Sequence, residues 1–257
     1  MANSIICISL VALTYITIIF GVAMHKKRLD IVDVAWSGTF IVVAALSWIL
    51  GSKGALQNLV TLLVIVWGIR LGLHILKRLR GSKYEDPRYQ ELRDKWRGSA
   101  PLNAYLRIFL TQGVLALIIS TPVIITNLSE YSALGSVSDA GLLIWIIGFL
   151  FESIGDAQLA RHLSDSKNKG KIMTTGLWKY TRHPNYFGEA AQWWGIFIIG
   201  LSTPLGWVGV IGPILITSLL LFISGVPLTE KRFEGRPGWR EYKESTSMFI
   251  PLPSRKY

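Results

Sequence analysis

The sequence has little with which to form covalent or metal cross-links, because it contains one cysteine in 257 residues. Cys7 lies inside the first apolar run and has no second thiol to pair with. This excludes an intramolecular disulfide framework and a cysteine-based metal site, and we predict no metal. The sequence also lacks the nucleotide motifs G-x-G-x-x-G and G-x-x-x-x-G-K-S/T and the zinc motif H-E-x-x-H, so no soluble nucleotide fold of those types is expected.

Acidic residues are also scarce, with 16 Asp and Glu against 27 Lys and Arg and a formal charge of +11. In a soluble domain this excess would indicate a nucleic-acid partner. Here most of the basic residues lie between long apolar runs, where the positive-inside rule already explains them. We therefore predict no nucleic-acid partner.

Long apolar runs dominate the sequence: 51% of the residues are hydrophobic and the mean hydropathy is positive. Seven runs are long enough to cross a bilayer core of about 30 Å, at 4–23, 33–52, 56–76, 102–126, 141–160, 186–202 and 206–226. The sequence predicts an all-α integral membrane protein, a seven-transmembrane-helix bundle that forms one domain over residues 1–257.

Charge alternates between the connections of these runs. The segments after runs one, three, five and seven are basic, at 25–28, 77–97, 161–182 and 231–256, whereas the other connections hold a single lysine. The positive-inside rule then places the N-terminus outside and the C-terminus in the cytoplasm. The first run carries its charges after it, so we interpret it as a retained span rather than a signal peptide. We expect a bacterial inner membrane, with membrane lipids as partners and an active site open to the cytoplasm.

Polar side chains within or near the predicted spans indicate a cavity, since an intramembrane charge costs about 2.5–3.5 kcal/mol on insertion scales and usually faces a bundle interior. Two pairs lie one helical turn apart and share a helix face, Arg70 with His74 and Glu152 with Asp156. For His74 and Gln112 a structural role fits as well as a functional one. The full set is Asp33, Arg70, His74, Gln112, Glu152, Asp156, Gln158, Glu189 and Gln192.

The stretch GLWKYTRHPNYFGEAAQWWG, at 176–195, combines cations with a helix start. Pro184 suits the first helical turn, where its missing N–H costs nothing. The first backbone N–H groups of such a helix favour an anion, and we expect an anion site beside Arg182 and His183, with Gly188 allowing close approach of a flat group. The arginines and aromatics of the cytoplasmic segments suit phosphates and a stacked ring, or equally lipid headgroups and an aromatic belt.

Several motifs resemble those of the membrane-embedded steroid 5α-reductase superfamily, and most closely its bacterial relatives of unknown function. The resemblance covers about Asp33 to Pro253 and is strongest in GLWKYTRHPNYFGE, WGIRLGLHILKRLRGSKYEDPRY, ESIGDAQ and GVPLTEKRFEGRPGWREYKESTSMFIP. A similar Arg-His-Pro-x-Tyr core occurs in isoprenylcysteine carboxyl methyltransferases, which bind S-adenosylmethionine.

The resemblance implies a seven-helix bundle that encloses NADPH, with cytoplasmic loops closing over it. The cofactor-contacting Asn-x-x-Gly-Glu motif carries over to Asn185 and Glu189, and a span-five Asp to Asp156, with Glu152 replacing an Asn one turn earlier. We expect Lys167, Lys169, Lys171 and Arg232 to offer cations to the 2′-phosphate. The candidate cofactor-binding residues are Arg70, His74, Arg78, Arg80, Glu152, Asp156, Lys167, Lys171, Arg182, His183, Asn185, Tyr186, Glu189, Arg232 and Tyr242.

Two departures from the superfamily concern the catalytic acid. The 5α-reductases carry a Gln-Glu pair on span two, where this sequence has only Asp33, and their Tyr on span three is Trp67 here, which has no phenolic proton. The expected electrophile is Asp33, kept protonated by burial, or a tyrosine of the lid segment KYEDPRY, Tyr84 or Tyr89. For the other charged residues of that segment, the alternative is a salt-bridge cluster of Glu85, Asp86 and Arg88.

Three functions fit the sequence. The first is an NADPH-dependent reductase of an activated C=C bond in a hydrophobic enone, steroid-like or another lipid. The second is an S-adenosylmethionine-dependent membrane methyltransferase, and the third is a non-enzymatic lipid-binding or transport protein. The Asn-Tyr-Phe-Gly-Glu sequence favours the first over the second, and the absence of an inverted repeat argues against the third.

Overall fold

The computed structural model of the protein describes residues 1–131 and 133–254. Over these residues the chain forms helices and turns and contains no β-strand. Within these described residues, six helices are long and apolar enough to cross a membrane, at Ala2–Lys26, Ile31–Leu50, Ala55–Gly81, Ala100–Ile119, Ser136–Ser164 and Gly206–Lys231. The predicted all-α membrane architecture is confirmed at this level. Arg255 and Lys256, at the end of the last basic segment, lie outside the described residues.

The chain divides into two compact units. Unit 1 comprises Met1–Leu134 and Gly200–Ile211, and unit 2 comprises Gly135–Ile199 and Gly212–Tyr257. The single domain expected over 1–257 stays a prediction.

Unit 1 is built on three long helices, α1 (Ala2–Lys26), α2 (Ile31–Leu50) and α3 (Ala55–Gly81). α2 packs against both of its neighbours. α3 continues past the predicted end of its run at 76, so Arg78 and Arg80 are helical. This extension places cationic side chains on a rigid element.

A short helix, α4 (Pro87–Asp94), follows in the predicted lid segment. The Asp86 carboxylate accepts a hydrogen bond from the backbone N–H of Arg88 at 3.0 Å, and Pro87 occupies the first turn. An N-cap acid and an N1 proline are strong start signals, which explains why so polar a segment is helical.

The fourth run, expected as a span over 102–126, is confirmed as a helix of spanning length at Ala100–Ile119, but it breaks before its expected end. It contains α5 (Ala100–Ala104), a π-helical turn (Tyr105–Leu110), α6 (Thr111–Ile119) and, after Ser120, α7 (Thr121–Leu128). Pro122 lies in the first turn of α7 and has no backbone N–H to donate into the preceding turn, so the helix cannot continue unbroken.

Unit 2 contains two long helices, α8 (Ser136–Ser164) and α9 (Pro184–Gly200). Three shorter helices follow: α10 (Ile211–Ser218), α11 (Val226–Lys231) and α12 (Trp239–Ser245). The first residue of α10, Ile211, belongs to unit 1. α9 begins at Pro184, as predicted. It has 17 residues and is not among the six helices of spanning length.

Glycines bring α8 and α9 together in antiparallel order. A Cβ on Gly141 would lie 2.6 Å from the carbonyl oxygen of Gly195, and a Cβ on Gly148 would lie 2.6 Å from that of Gly188. Small residues let two apolar helices approach at backbone distance. The side chains that flank these glycines therefore meet directly across the two helices.

Candidate functional site

In unit 1 the structure joins Asp33, on the first turn of α2, to the lid segment. One carboxylate oxygen accepts a hydrogen bond from the Tyr89 hydroxyl, and the other accepts one from Arg88 at 2.8 Å. Arg78 of α3 lies 3.6 Å from the same carboxylate. Asp33 is an acceptor in each of these contacts, whereas the sequence led us to expect a hydrogen-bond donor at this position.

Tyr89 is the buried tyrosine of this group and packs in an apolar cluster with residues of α1, α2 and the fourth run. Burial, and then the neighbouring Asp33 carboxylate, raise the pKa of Tyr89 above its ordinary value. Its hydroxyl therefore keeps its proton at neutral pH and stays a hydrogen-bond donor.

The lid segment is fastened to the connection between α1 and α2. Arg28 bonds the Asp30 carboxylate at 2.8 and 3.1 Å, and Asp30 in turn accepts from the backbone N–H of Asp86. Glu85 accepts from the backbone N–H of Leu29 and pairs with Arg93 at 2.6 Å. These contacts agree with the alternative prediction that Glu85, Asp86 and Arg88 belong to a salt-bridge cluster. They hold the segment that carries Tyr89 in position.

The other candidates of unit 1 differ in burial. Trp67 is fully buried with its ring edge against Phe40, at 5.3 Å between centroids. Tyr84 is 79% exposed, so it is not the buried tyrosine that a water-excluded acid requires. Two cofactor candidates are half-buried, Arg70 and His74, and two are exposed, Arg78 and Arg80.

In unit 2 two carboxylate–carboxamide pairs bridge α8 and α9. The Asn185 amide donates to Asp156 at 3.2 Å, and the Gln192 amide donates to Glu152 at 2.6 Å. Glu152 and Gln192 are almost fully buried, at 2% and 1% exposed. Glu189 lies on the same helix between the two amides and is half-buried. The two residues carried over to the cofactor, Asn185 and Asp156, are thus in contact although 29 positions apart.

Gly188 does not serve the purpose expected of it. A Cβ at this position would collide with the backbone of α8 at Gly148 and Glu152. The expectation that Gly188 receives a flat ligand is therefore wrong, because the neighbouring helix occupies that face.

Arg182 and His183 form hydrogen bonds within the protein. Arg182 donates to Glu230 at 2.8 Å and to the carbonyl oxygens of Lys243 and Thr246. His183 lies 3.2 Å from the same oxygen of Glu230. The predicted anion site beside these two residues is therefore filled by the Glu230 carboxylate, and the pair fastens the start of α9 to the C-terminal segment.

Two tyrosines, Tyr186 and Tyr242, also connect the region around the start of α9 to the C-terminal segment. The Tyr186 ring stacks on His183 at 5.2 Å, and its hydroxyl bonds Thr229 at 2.9 Å. Tyr242 donates to the carbonyl oxygen of Trp178 at 2.6 Å, and burial raises the pKa of Tyr242 above its ordinary value. Burial lowers the pKa of His183, and the hydrogen bond to Glu230 only partly offsets this.

Among the expected cations, only some line a pocket. An open cavity of about 510 Å³ is lined by Lys169, Lys171 and Thr174 on one side and by Pro237 and Gly238 on the other. Two further candidates, Lys167 and Arg232, are exposed but do not line it.

Sequence reasoning missed Glu230 and assigned no partner to Gln192. Glu230 stands beside Lys231 and Arg232, so its neighbours suggested an exposed basic segment and concealed a buried acid. Gln192 was recognisable as a polar residue at membrane depth. Its partner Glu152 is 40 positions away, and no local pattern joins them.

Comparison with known proteins gives a family and one distant relative. The sequence profile of a family described as "Protein of unknown function (DUF1295)" matches residues 19–246. The chain is 24% identical over 270 residues to "Uncharacterized protein C594.04c" of Schizosaccharomyces pombe (strain 972 / ATCC 24843), an alignment that covers 91% of this chain and 76% of the relative. No solved structure matches the chain.

Proposed function

We propose, from the premise that this chain belongs to the DUF1295 family, that it is a membrane-embedded NADPH-dependent reductase. Its substrate would be a hydrophobic enone, steroid-like or another lipid, whose activated C=C bond is reduced. The observation that carries the proposal is the contact between Asn185 and Asp156 at the start of α9. The superfamily resemblance assigns both residues to the cofactor, and they come from distant parts of the chain.

The residues of unit 2 fit a nicotinamide dinucleotide in one specific respect. The amide orientation of Gln192 is fixed, because its nitrogen donates both to Glu152 and to the carbonyl oxygen of Gly188 at 3.2 Å. The Gln192 side-chain oxygen is then a buried acceptor that receives no hydrogen bond from the described residues. Such an atom favours a ligand with an N–H donor, and a nicotinamide carboxamide supplies one.

Bound NADPH would supply a hydride to the β-carbon of the enone, and the α-carbon would take a proton from solvent to complete the reduction. Asn185, Asp156 and Glu189 would hold the cofactor in unit 2, with Gln192 and Glu152 one turn further along the helices. These side chains offer both donors and acceptors, as a carboxamide and a ribose require.

Tyr89 is the proposed electrophile. On substrate binding, its single hydroxyl proton would leave the hydrogen bond to Asp33 and form one to the substrate carbonyl oxygen, where negative charge develops. Before that, Asp33 would hold the Tyr89 hydroxyl in place, and Arg88 and Arg78 would remain as partners of the carboxylate once the proton has turned away. The role proposed for Asp33 is therefore that of an acceptor.

The proposed topology has seven spans, as the charge alternation predicts, and α9 is the helix in question. α9 lies along α8 at backbone distance over most of its length, and its 17 residues are near the lower limit for crossing a bilayer. We propose that α9 is the seventh span, which leaves the N-terminus outside and the four basic segments on the cytoplasmic side of a bacterial inner membrane.

The test is to purify the protein in detergent, identify any co-purifying nucleotide by mass spectrometry, and measure melting temperatures with added NADPH or S-adenosylmethionine. A ligand that binds only the folded state raises the melting temperature. The proposal predicts stabilisation by NADPH alone. Stabilisation by S-adenosylmethionine alone would support the methyltransferase function, and stabilisation by neither would favour a lipid-binding protein.

A further inference from the structure

We infer that the pocket lined by Lys169 and Lys171 binds a phosphomonoester. The pocket is formed by the connection between α8 and α9 and by the residues just before α12, all within unit 2. Arg182 does not line it, because its guanidinium is bonded to Glu230 elsewhere in the unit. The carboxylate–carboxamide pairs of α8 and α9 do not line it either. The pocket is therefore distinct from both of the clusters described above for unit 2.

The loop that carries the two lysines is held in place by its own hydrogen bonds. The backbone N–H of Lys171 donates to the carbonyl oxygen of Asn168 at 2.9 Å. The Asn168 amide donates to the carbonyl oxygen of His162 at 3.3 Å, and the His162 ring lies 3.2 Å from the carbonyl oxygen of Lys171. The loop is therefore anchored to the end of α8, while both lysine side chains stay exposed.

The lining favours an anion. Among the described residues that line the pocket none is acidic, and two carry an ammonium group. Gly170 and Gly238, with φ of +80° and +77°, both line the pocket, and a Cβ on either would meet nothing within 4 Å. A ligand can therefore approach the backbone at both positions.

Two ammonium groups in one pocket match a phosphomonoester, which carries a charge of about −1.5 to −2 at neutral pH. A cavity of about 510 Å³ has room for a phosphate that is carried on a larger organic group. The source is the 2′-phosphate of the dinucleotide or the headgroup of a phosphomonoester lipid. The first of these rests on the proposed function, whereas the phosphomonoester site itself does not.

The test measures binding of adenosine 2′,5′-bisphosphate, adenosine 5′-monophosphate and phosphatidic acid to the full-length protein in detergent at low salt. The variants are the double substitution Lys169→Gln with Lys171→Gln, and Lys179→Gln as a control at an exposed position outside the lining. If the dinucleotide is the source, we expect the wild type to bind the bisphosphate at least about tenfold more tightly than the monophosphate, since the extra phosphate gains charge-assisted contacts. The double variant should lose this preference, and the control should keep it.

Preferential binding of phosphatidic acid, lost in the double variant, would assign the same pocket to a lipid headgroup. An unchanged affinity of the double variant for the bisphosphate and for phosphatidic acid would overturn the inference, as would a wild type that binds neither of these two probes. NADPH and NADH bound with equal affinity by wild type and double variant would leave the reductase proposal standing and remove the pocket from it. Binding of the bisphosphate by a protein that does not bind NADPH would support the phosphomonoester pocket and rule out the reductase proposal.

Discussion

At the residue scale, the Tyr89 hydroxyl is the group that the proposed chemistry depends on most. Tyr89→Phe removes one hydrogen bond to Asp33, which costs about 1 kcal/mol of stability. NADPH affinity should stay within about twofold, while hydride transfer should slow by about 10²–10³, as for loss of an oxyanion-stabilising donor. Single-turnover loss of NADPH absorbance with a panel of lipophilic enones measures the rate.

Tyr84→Phe is the matched control, because Tyr84 lies in the same segment and is largely exposed. It should react at the wild-type rate. Asp33→Asn should keep cofactor affinity and lower turnover, since the amide no longer pairs with Arg88. A slow Tyr84→Phe beside a fast Tyr89→Phe would reverse the assignment.

His183 gives the protein a pH-dependent stability. Burial lowers its pKa in the folded state, against about 6.5 in the unfolded chain. As pH falls below about 6.5 the unfolded state binds more protons than the folded state, so the contribution to stability is present above that pH and is lost below it. Melting temperatures between about pH 8 and pH 5 should therefore fall more steeply for the wild type than for His183→Gln.

The variant keeps an amide donor for Glu230, so its fold should be retained. His25→Gln, at an exposed position, is the control and should show the wild-type slope. Identical slopes for wild type and His183→Gln would mean that His183 does not titrate differently in the two states.

Individual residues show what a single sequence can and cannot reveal. Asp33 and Asp156 were identifiable, because a polar side chain near an apolar run is costly and therefore conspicuous, and Asn185 was identifiable through the motif that resembles the superfamily. Their hydrogen-bond partners were not identifiable, since Arg88 and Tyr89 are 55 and 56 positions away from Asp33 in the sequence. Arg182 and His183 were given to a ligand because their acceptor, Glu230, lies in a segment whose sequence is typical of a basic, exposed loop.

At the element scale, the glycine contacts between α8 and α9 should decide the stability of unit 2. Gly148→Ala would place a Cβ 2.6 Å from the carbonyl oxygen of Gly188. Neither backbone can move without separating the helices, so we expect a loss of about 1–3 kcal/mol. Thermal unfolding in detergent measures it.

Gly21→Ala is the control for this substitution. Gly21 lies in α1, and an added Cβ would meet nothing within 4 Å. Since Ala is favoured over Gly inside a helix by about 0.5–1 kcal/mol, this variant should be neutral or slightly more stable. A Gly148→Ala protein as stable as Gly21→Ala would show that the two helices are not in backbone contact.

The lid segment should open when its ion pairs are weakened. Glu85→Gln keeps the side-chain shape but removes the charge that Arg93 and the Leu29 backbone N–H bind, at a cost of about 1.5–3 kcal/mol. Limited trypsin digestion should then cut within 82–97 faster than in the wild type, with the sites identified by mass spectrometry. Glu244→Gln, which weakens the exposed pair with Arg240, should leave the digestion rate unchanged.

Elements were predictable where one signal dominates. The long helices of both units follow from apolar runs, and the start of α9 follows from Pro184. The break between α6 and α7 was missed because hydropathy continues through Ser120 and Pro122, although the proline marks it. The contact between α8 and α9 depends on glycines in two separate runs, and a single sequence does not say which runs are neighbours.

At the scale of the whole molecule, the charge of +11 and the six helices of spanning length agree with a membrane protein. The charges of the connecting segments predict that the cations lie on the cytoplasmic side of the membrane. This prediction needs no information on packing, because topology depends on local loop charge. The division into two units was not predictable, since it depends on which helices contact one another.

Equilibrium binding of NADPH to the purified protein tests the proposal that the chain binds NADPH through Asn185 and its partners. The comparison uses wild type, Asn185→Ala, Glu189→Ala and, as an exposed control in unit 2, Glu241→Ala. We predict that the wild type and the control bind NADPH with the same Kd, and that Asn185→Ala and Glu189→Ala lose binding by at least about tenfold while their melting temperatures without ligand stay close to that of the wild type. An Asn185→Ala protein that binds NADPH as tightly as the wild type would show that Asn185 does not hold the cofactor, and a wild type that does not bind NADPH would rule out the proposed reductase.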